Sequence, residues 1–381
     1  MSRSRDNASA VTTVPSGVGR NMVINGGMNV AQRGTSLTIA HDGVLDAFLV
    51  DRFHMGMGAN FETLDGAYSQ ASDGPDGGLF NSILWTTGTA EAAIASDELF
   101  YMKHVIEAQN CQRVALGTSA SKQVTLSFYV KSSITGTYGA NIYKPDAAGD
   151  LAASIVTGTY AISSANTWER KTITFPSGTA AALGITYDNG VGLHITWHLA
   201  AGSSYTPTDG TSWGDYANGK WAYGHAQNGV ITTAGATWGI TGVQVEVGPV
   251  ATEFEQEDIS ITLAKCQRYL YKAGPGGAYE RMGIASNLST TTAEAYIYLP
   301  VAMRATPTLV AVTASEFAMY DSSVSGNIVA CTGVVVESGG NANGQLMVLD
   351  TTVSSGLTAG GSSGLMTNNN TTAHITLDAE L

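Results

Sequence analysis

Charge is scarce in this chain. Asp, Glu, Lys and Arg make up 13% of its 381 residues, about half of the ~25% usual for soluble domains. What charge there is leans acidic, with 18 Lys+Arg against 31 Asp+Glu and a net charge of −13. A nucleic-acid-binding protein needs a dense basic surface to displace counterions, so that class is excluded as a partner. Docking on anionic lipid is excluded on the same ground. No apolar run reaches the ~18 residues needed to span a bilayer, so no membrane insertion is expected. The opening MSRSRDNASAVTT holds no apolar stretch of the kind a secretory signal requires. Cysteine is limited to Cys111, Cys266 and Cys331. An odd, scattered set with no C-x-x-C spacing predicts buried thiols rather than a disulfide framework or a zinc site. Proline is also rare, at 9 residues, which rules out collagen-like or proline-rich architectures.

Glycine is abundant, at 45 residues, and apolar residues make up 44%. The glycines are dispersed between short apolar runs, a pattern of strands and turns rather than of disorder. From Val124 to Lys131 the even positions are apolar and the odd ones mostly polar, the period of a strand with one buried face. Leu193, Ile195, Trp197 and Leu199 alternate with His194, Thr196 and His198 in the same way. So do Val243, Val245 and Val247 with Gln244 and Glu246, and Ile375 and Leu377 with Thr376 and Asp378. Trp238 and Ile240 fall on the opposite parity to Val243, so a β-bulge is predicted at Thr241-Gly242. No repeat of 20–50 residues is present, which weighs against a propeller or β-helix.

One segment has helical periodicity. Ile259, Leu263, Cys266 and Leu270 share a face within a helix predicted over Gln256–Lys272, with Glu255, Glu257 and Asp258 at its start. Gly274-Pro275-Gly276-Gly277 ends it. The predicted fold is therefore all-β. A jelly-roll sandwich spans 21–252, a linking helix and Gly-rich hinge 253–278, and a smaller C-terminal β domain 279–381. Residues 1–20, with Arg3, Arg5 and Arg20, form a polar arm.

Six segments carry a resemblance. NMVINGGMNVAQRGTS (21–36) resembles the opening strand of bacteriophage tail-fibre and virion-surface proteins, which share a jelly-roll domain similar to carbohydrate-binding modules. KQVTLSFYVKS (122–132), ANTWERKTITF (165–175), LAAGSS (199–204), TGVQVEVGPVATEF (241–254) and LAKCQRYLYK (263–272) match in order, so the resemblance covers residues 18 to 272. LPVAMRATP (299–307) and the terminal ITLDAEL resemble a fibre's C-terminal β domain more loosely. The resemblance implies a homotrimeric virion protein, assembled in the bacterial cytoplasm, located at the tail and binding a host cell-surface glycan. It also implies attachment through residues 1–20 to another virion protein, with Arg3, Arg5 and Arg20 as the contacts. A capsid-surface head fibre or decoration protein uses the same module and stays open as the alternative. A polysaccharide depolymerase is the third reading.

Candidate chemistry is sparse. His194 and His198 invite a metal reading, but on a strand they stand roughly 13 Å apart, so they are read as exposed or rim histidines. Glu253, Glu255, Glu257 and Asp258 are read as a solvated helix start rather than a glycosidase pair. No nucleophile elbow or phosphate-binding loop is present. No enzyme activity and no cofactor are expected. Asp73 and Asp76 in the loop SDGPDGG are weak calcium candidates. The segment 203–228 holds Tyr205, Trp213, Tyr216, Trp221, Tyr223 and His225 among Gly, Asp, Asn and Thr. Aromatic faces stack on sugar C–H surfaces, so these six are the candidate glycan contacts. They could equally anchor a subunit interface or fill a core.

Overall fold

Alternating runs form antiparallel strands with one face turned to a core. The computed structural model describes residues 19–40, 45–58, 61–75, 77–145, 153–274, 277–310, 312–324, 327–337 and 345–381. Arg3, Arg5, Asp76, Pro275 and Gly276 lie outside the described residues. In chain order the first region has β1 (Ser36–Ile39), β2 (Leu45–Phe48), β3 (Phe53–Met57), β4 (Gly66–Ala71), β5 (Ser82–Thr87), β6 (Leu99–Glu107) and β7 (Val124–Ser132). It continues with β8 (Gly136–Lys144), β9 (Ser154–Ile162), β10 (Glu169–Phe175), β11 (Val191–Ala201), β12 (Gly214–Asp215), a short helix α1 (Gly229–Thr232) and β13 (Thr237–Val247).

These strands make two antiparallel sheets, ordered β1-β4-β5-β13-β7-β10 and β12-β9-β8-β11-β6-β3-β2. From β6 onward the chain passes repeatedly between the sheets instead of forming hairpins only, which is the jelly-roll connectivity. Trp85, Phe128 and Trp238 of the six-stranded sheet and Phe53, Phe100, Tyr138 and Trp197 of the seven-stranded one are fully buried in a single core. Trp85 meets Phe100 at 4.7 Å between ring centroids and Phe128 meets Trp197 at 5.8 Å, both edge to face, an arrangement the ring quadrupoles favour.

The predicted bulge is present. The register of β13 against β7 shifts between Thr241 and Gln244, and Gly242 has φ +60°. Beyond the bulge β5 no longer pairs with β13. The N-terminal segment lies there instead: Met22 N donates to Val245 O and Val243 N to Gly26 O, each at 2.9 Å. An otherwise open strand edge is thereby closed.

The helix is shorter than its periodicity implies. α2 covers Ile259–Gln267, with the Asp258 carboxylate accepting from Ser260 N at 2.8 Å as its N-cap. Ile259 and Ile261 are at least half exposed, while Cys266 is buried. The chain leaves the helix because Arg268 and Tyr269 are drawn to Glu107 of the sandwich. Leu270–Ala273 then forms a strand, β14, rather than the last helical turn.

The C-terminal region adds β15 (Arg281–Asn287), β16 (Thr292–Tyr298), β17 (Thr308–Leu309), β18 (Phe317–Asp321), β19 (Asn327–Val336), β20 (Leu346–Val353), β21 (Ser362–Thr367) and β22 (Ile375–Asp378). Six of these close a barrel, β15-β16-β20-β19-β18-β21, filled by Ala285, Ala295, Ile297, Phe317, Met319, Leu349 and Leu365. The other two join β14 in a small sheet, β14-β22-β17.

Ion pairs join this small sheet to the sandwich. Arg268 Nε and Nη2 donate to the two Glu107 oxygens at 3.0 and 2.7 Å, and Tyr269 Oη and Gln109 Nε2 donate to the same carboxylate at 2.5 and 2.6 Å. The Arg52 guanidinium lies 3.5 Å above the Tyr269 ring and pairs with Glu380. Arg33 pairs with Asp378 and Glu380. All three cysteines are buried free thiols. Among the described residues no helix is long and apolar enough to cross a membrane.

Candidate functional site

The outward face of the seven-stranded sheet carries most of the chain's unusual chemistry. Register fixes its rows. His54 of β3 lies opposite Lys103 of β6, Lys103 opposite Thr196 of β11, Thr196 opposite Asn141 of β8, and Asn141 opposite Thr157 of β9. Tyr101 and His198 form the next row, and His194, Tyr143 and Ile155 the row on the other side. Gly56 gives Tyr101 its seat: a Cβ there would run into the Tyr101 ring, so the absent side chain lets the ring lie across β3.

The segment 203–228 folds over one end of this face rather than projecting as a free loop. β12 pairs it to β9, and Ala222 within it is fully buried. Three of the six aromatic candidates, Tyr205, Tyr216 and Trp221, gather here, with His225 at the margin. The rings of Tyr143, Tyr216 and Trp221 meet in pairs at 5.1 to 5.6 Å, all steeply inclined. His194 packs on Tyr143 at 5.3 Å and His198 lies 6.1 Å from Trp221. Tyr205 joins through a small apolar cluster with Tyr101, Leu99 and Ala222, and His225 packs 6.3 Å from His198. Tyr216 is the exposed ring of the group. Tyr223 and His225 turn to the neighbouring side, where with Thr157, Thr159, Thr206 and Thr211 they line an open cleft.

Trp213 stands apart. Its Nε1 donates to Pro176 O at 2.9 Å, and its ring packs beside Gly178 and Leu183 at the sandwich margin. Arg20 is turned inward, its guanidinium donating to Glu253 O at 2.7 Å and lying 4.0 Å from Glu246. Glu255 belongs to the same clamp, accepting from Gly19 N and Asn21 N. It is not a freely solvated carboxylate of the helix start. Asp73 pairs with Lys131 and accepts from Trp168 Nε1 at 3.3 Å. Among the described residues no cluster of three His, Cys, Asp or Glu could hold a metal ion.

His198 corrects the sequence reading: it is buried, neither exposed nor at the rim, because the covering segment hides the second face of β11, while His194 is half-buried at the rim. Burial pushes His198 far below the usual imidazole range, His194 down to about 3 and His225 down to about 4. At neutral pH they are therefore uncharged. Burial lowers Lys103 as well. A hydrogen bond with His54 holds the Asp46 carboxyl below its ordinary value.

Thr196 Oγ1, Asn141 Oδ1, His198 Nδ1 and Trp221 Nε1 are buried without a hydrogen-bond partner among the described residues. They are neighbours: Asn141 Nδ2 lies 3.0 Å from His198 Nε2 and donates to Trp221 O at 2.7 Å. They lie beneath the covering segment 203–228, a setting in which ordered water commonly partners buried polar groups.

No family model and no curated protein matches the chain. Among solved structures it is similar to the enzymatically active domain of tailspike protein 4 from bacteriophage CBA120, with 12% identity and a TM-score of 0.29 over 60% of this chain and 21% of that one. It is also similar to a family 11 carbohydrate-binding module from Clostridium thermocellum, with 12% identity and a TM-score of 0.27 over 57% of this chain and 99% of the module. A xylan-binding domain from Paenibacillus barcinonensis gives 10% identity and a TM-score of 0.28 over 62% and 99%. Likenesses this distant carry nothing about a ligand. The jelly-roll assignment stands on the strand order and pairing above.

Proposed function

We propose that this chain is a non-enzymatic, host-surface-binding fibre protein of a bacteriophage virion, located at the tail, and that it takes a glycan on the outward face of its seven-stranded sheet. The observation that carries the reading is the Tyr143–Tyr216–Trp221 cluster, whose Tyr216 ring is exposed on that face. Sugars present apolar C–H faces to rings and hydroxyls to donors and acceptors, and the exposed side chains of Asp215 and Asn218 stand beside the Tyr216 ring. The virion setting, the homotrimer and attachment through residues 1–20 follow from the sequence resemblance.

Tyr216→Ala is expected to weaken binding to host cells or to immobilised host polysaccharide at least tenfold, with the melting temperature unchanged, because its ring is exposed. Trp213→Ala is expected to do the reverse, leaving binding intact and lowering stability by roughly 1–3 kcal/mol. If Tyr216→Ala leaves binding unaltered, the face is not the glycan site. Light scattering at micromolar concentration is expected to give the mass of three chains, and immunogold label raised against the barrel is expected at the virion tail. A monomer, or label over the capsid, overturns those parts of the proposal.

A further inference from the structure

The barrel carries a second groove, far along the chain from the sheet face. Tyr296 of β16 lies opposite Ile284 of β15, Ile284 opposite Gly364 of β21, and Gly364 opposite Tyr320 of β18. These four residues form one row across the outer surface of four adjacent strands. Gly364 leaves the row without a side chain at its middle, so the row dips between Ile284 and Tyr320. Ser286, Ser322 and Ser362 line one flank, and Tyr298 and Arg281 the other. Ile284 is 64% exposed and Tyr298 69%.

Arg281 decides what the groove suits. Its guanidinium lies 4.3 Å above the Tyr320 ring centroid. The guanidinium has no ion pair and no hydrogen bond among the described residues. Among the described residues this cation has no paired carboxylate, in a chain with a net charge of −13. A guanidinium stacked on an aromatic face still presents its N–H fork edge-on, the geometry that takes a carboxylate with two hydrogen bonds. The carboxylates of Glu294, which accepts from Tyr296 Oη at 2.8 Å, and of Glu337 lie by Tyr296, at the far end of the row from Tyr320 and Arg281. An extended peptide would be expected to add to a free strand edge, and a closed barrel offers none. Rings, a row of hydroxyls and one free arginine fork instead fit a polyhydroxylated, acidic ligand.

We infer that the groove over Gly364 is a separate binding site for an acidic oligosaccharide, its carboxylate on Arg281 and a sugar face on Tyr320 or Tyr298. The inference does not depend on the sandwich face, so either can fail alone. The test is calorimetry on the full chain with tetramers of galacturonate, of sialic acid and of hyaluronan, and with neutral maltotetraose. At least one acidic tetramer is expected to bind more tightly than maltotetraose, by tenfold or more. Arg281→Gln is expected to weaken that binding at least tenfold. Gly364→Leu is expected to abolish it by filling the floor. A Cβ at Gly364 meets only Gly283 O at 3.6 Å and Arg281 Nη1 at 4.0 Å, so the barrel has room for the change. Tyr216→Ala is expected to leave the binding untouched.

Several results would overturn the inference. They are no binding by any acidic tetramer, equal binding of maltotetraose, or binding that survives both groove variants. Loss of the binding in Tyr216→Ala would move the ligand to the sandwich. A fall in oligomer mass for Gly364→Leu would make the groove a contact between copies of the chain.

Discussion

Glu107→Ala is expected to cost about 3–5 kcal/mol, the range measured when one partner of a buried ion pair is removed. The Glu107 side chain is fully buried while Arg268 is 31% exposed. Its two oxygens accept from Arg268 twice, from Tyr269 and from Gln109. Truncation leaves Tyr269 Oη without its acceptor and the Arg268 fork facing an apolar gap. The damage should appear at the joint, since Tyr269 also receives the Ala379 N–H on its carbonyl and the Arg52 guanidinium on its ring. Hydrogen exchange is expected to speed up across Leu270–Ala273 and Ile375–Asp378 before it changes in the sandwich core. Exchange that accelerates uniformly, or a loss under 1 kcal/mol by urea denaturation, would contradict this account.

The same carboxylate gives the joint a pH dependence. Burial pushes Glu107 upward, but hydrogen bonds from Arg268, Tyr269 and Gln109 outweigh it and hold the group below its ordinary value. A group depressed in the folded state contributes stability above its unfolded pKa, near 4.3, and loses that contribution as pH falls through the folded value. Protection of β14 is therefore expected to drop below about pH 4, with a weaker drop in Glu107→Gln. Asp51, raised chiefly by burial, acts with the opposite sign and favours the fold as pH falls.

Much of the architecture was legible because it depends on local pattern. Period-two alternation located β7, β11, β13 and β22, and the parity break at Thr241-Gly242 located the bulge. What alternation could not reveal is the cover on the second face. His198 read as exposed because the sequence does not say that residues 203–228 fold back over β11. The end of α2 was missed for a related reason. Its last turn is removed by Glu107, 161 residues away from Arg268, whereas periodicity sees only neighbours. Of the candidate site, the aromatics of 203–228 stood out by composition. Tyr101, Tyr143 and Lys103 did not, since only the pairing of β6, β8 and β11 brings them onto one face. The barrel groove was equally silent, because its row takes one residue from each of four strands.

The opening motif NMVINGG shows a local sequence whose meaning is wholly tertiary, and Asn25 is where it can be tested. Asn25 Nδ2 donates to Val30 O at 2.9 Å and Asp51 O at 3.0 Å. Its Oδ1 accepts from Asn29 N at 2.9 Å and Val30 N at 3.0 Å. One buried amide thus meets the needs of four backbone groups, at φ +62°. Gly26 follows because a Cβ there would strike the Val243 carbonyl oxygen, against which the segment closes β13. Asn25→Ala is expected to cost about 3–5 kcal/mol, taking roughly 1 kcal/mol per lost hydrogen bond and about 1 kcal/mol for alanine at positive φ. Asn25→Gly removes the backbone term alone and should recover about 1 kcal/mol of that loss. Asn25→Asp keeps the acceptors of Asn29 and Val30 N–H but gives up both donors, and should fall between the wild type and alanine. The check is chemical denaturation of all three variants. If alanine and glycine are equal the positive-φ term is wrong. If both cost less than 1 kcal/mol, the segment does not depend on Asn25, and the edge of β13 is held by the Asn21 and Glu255 contacts instead.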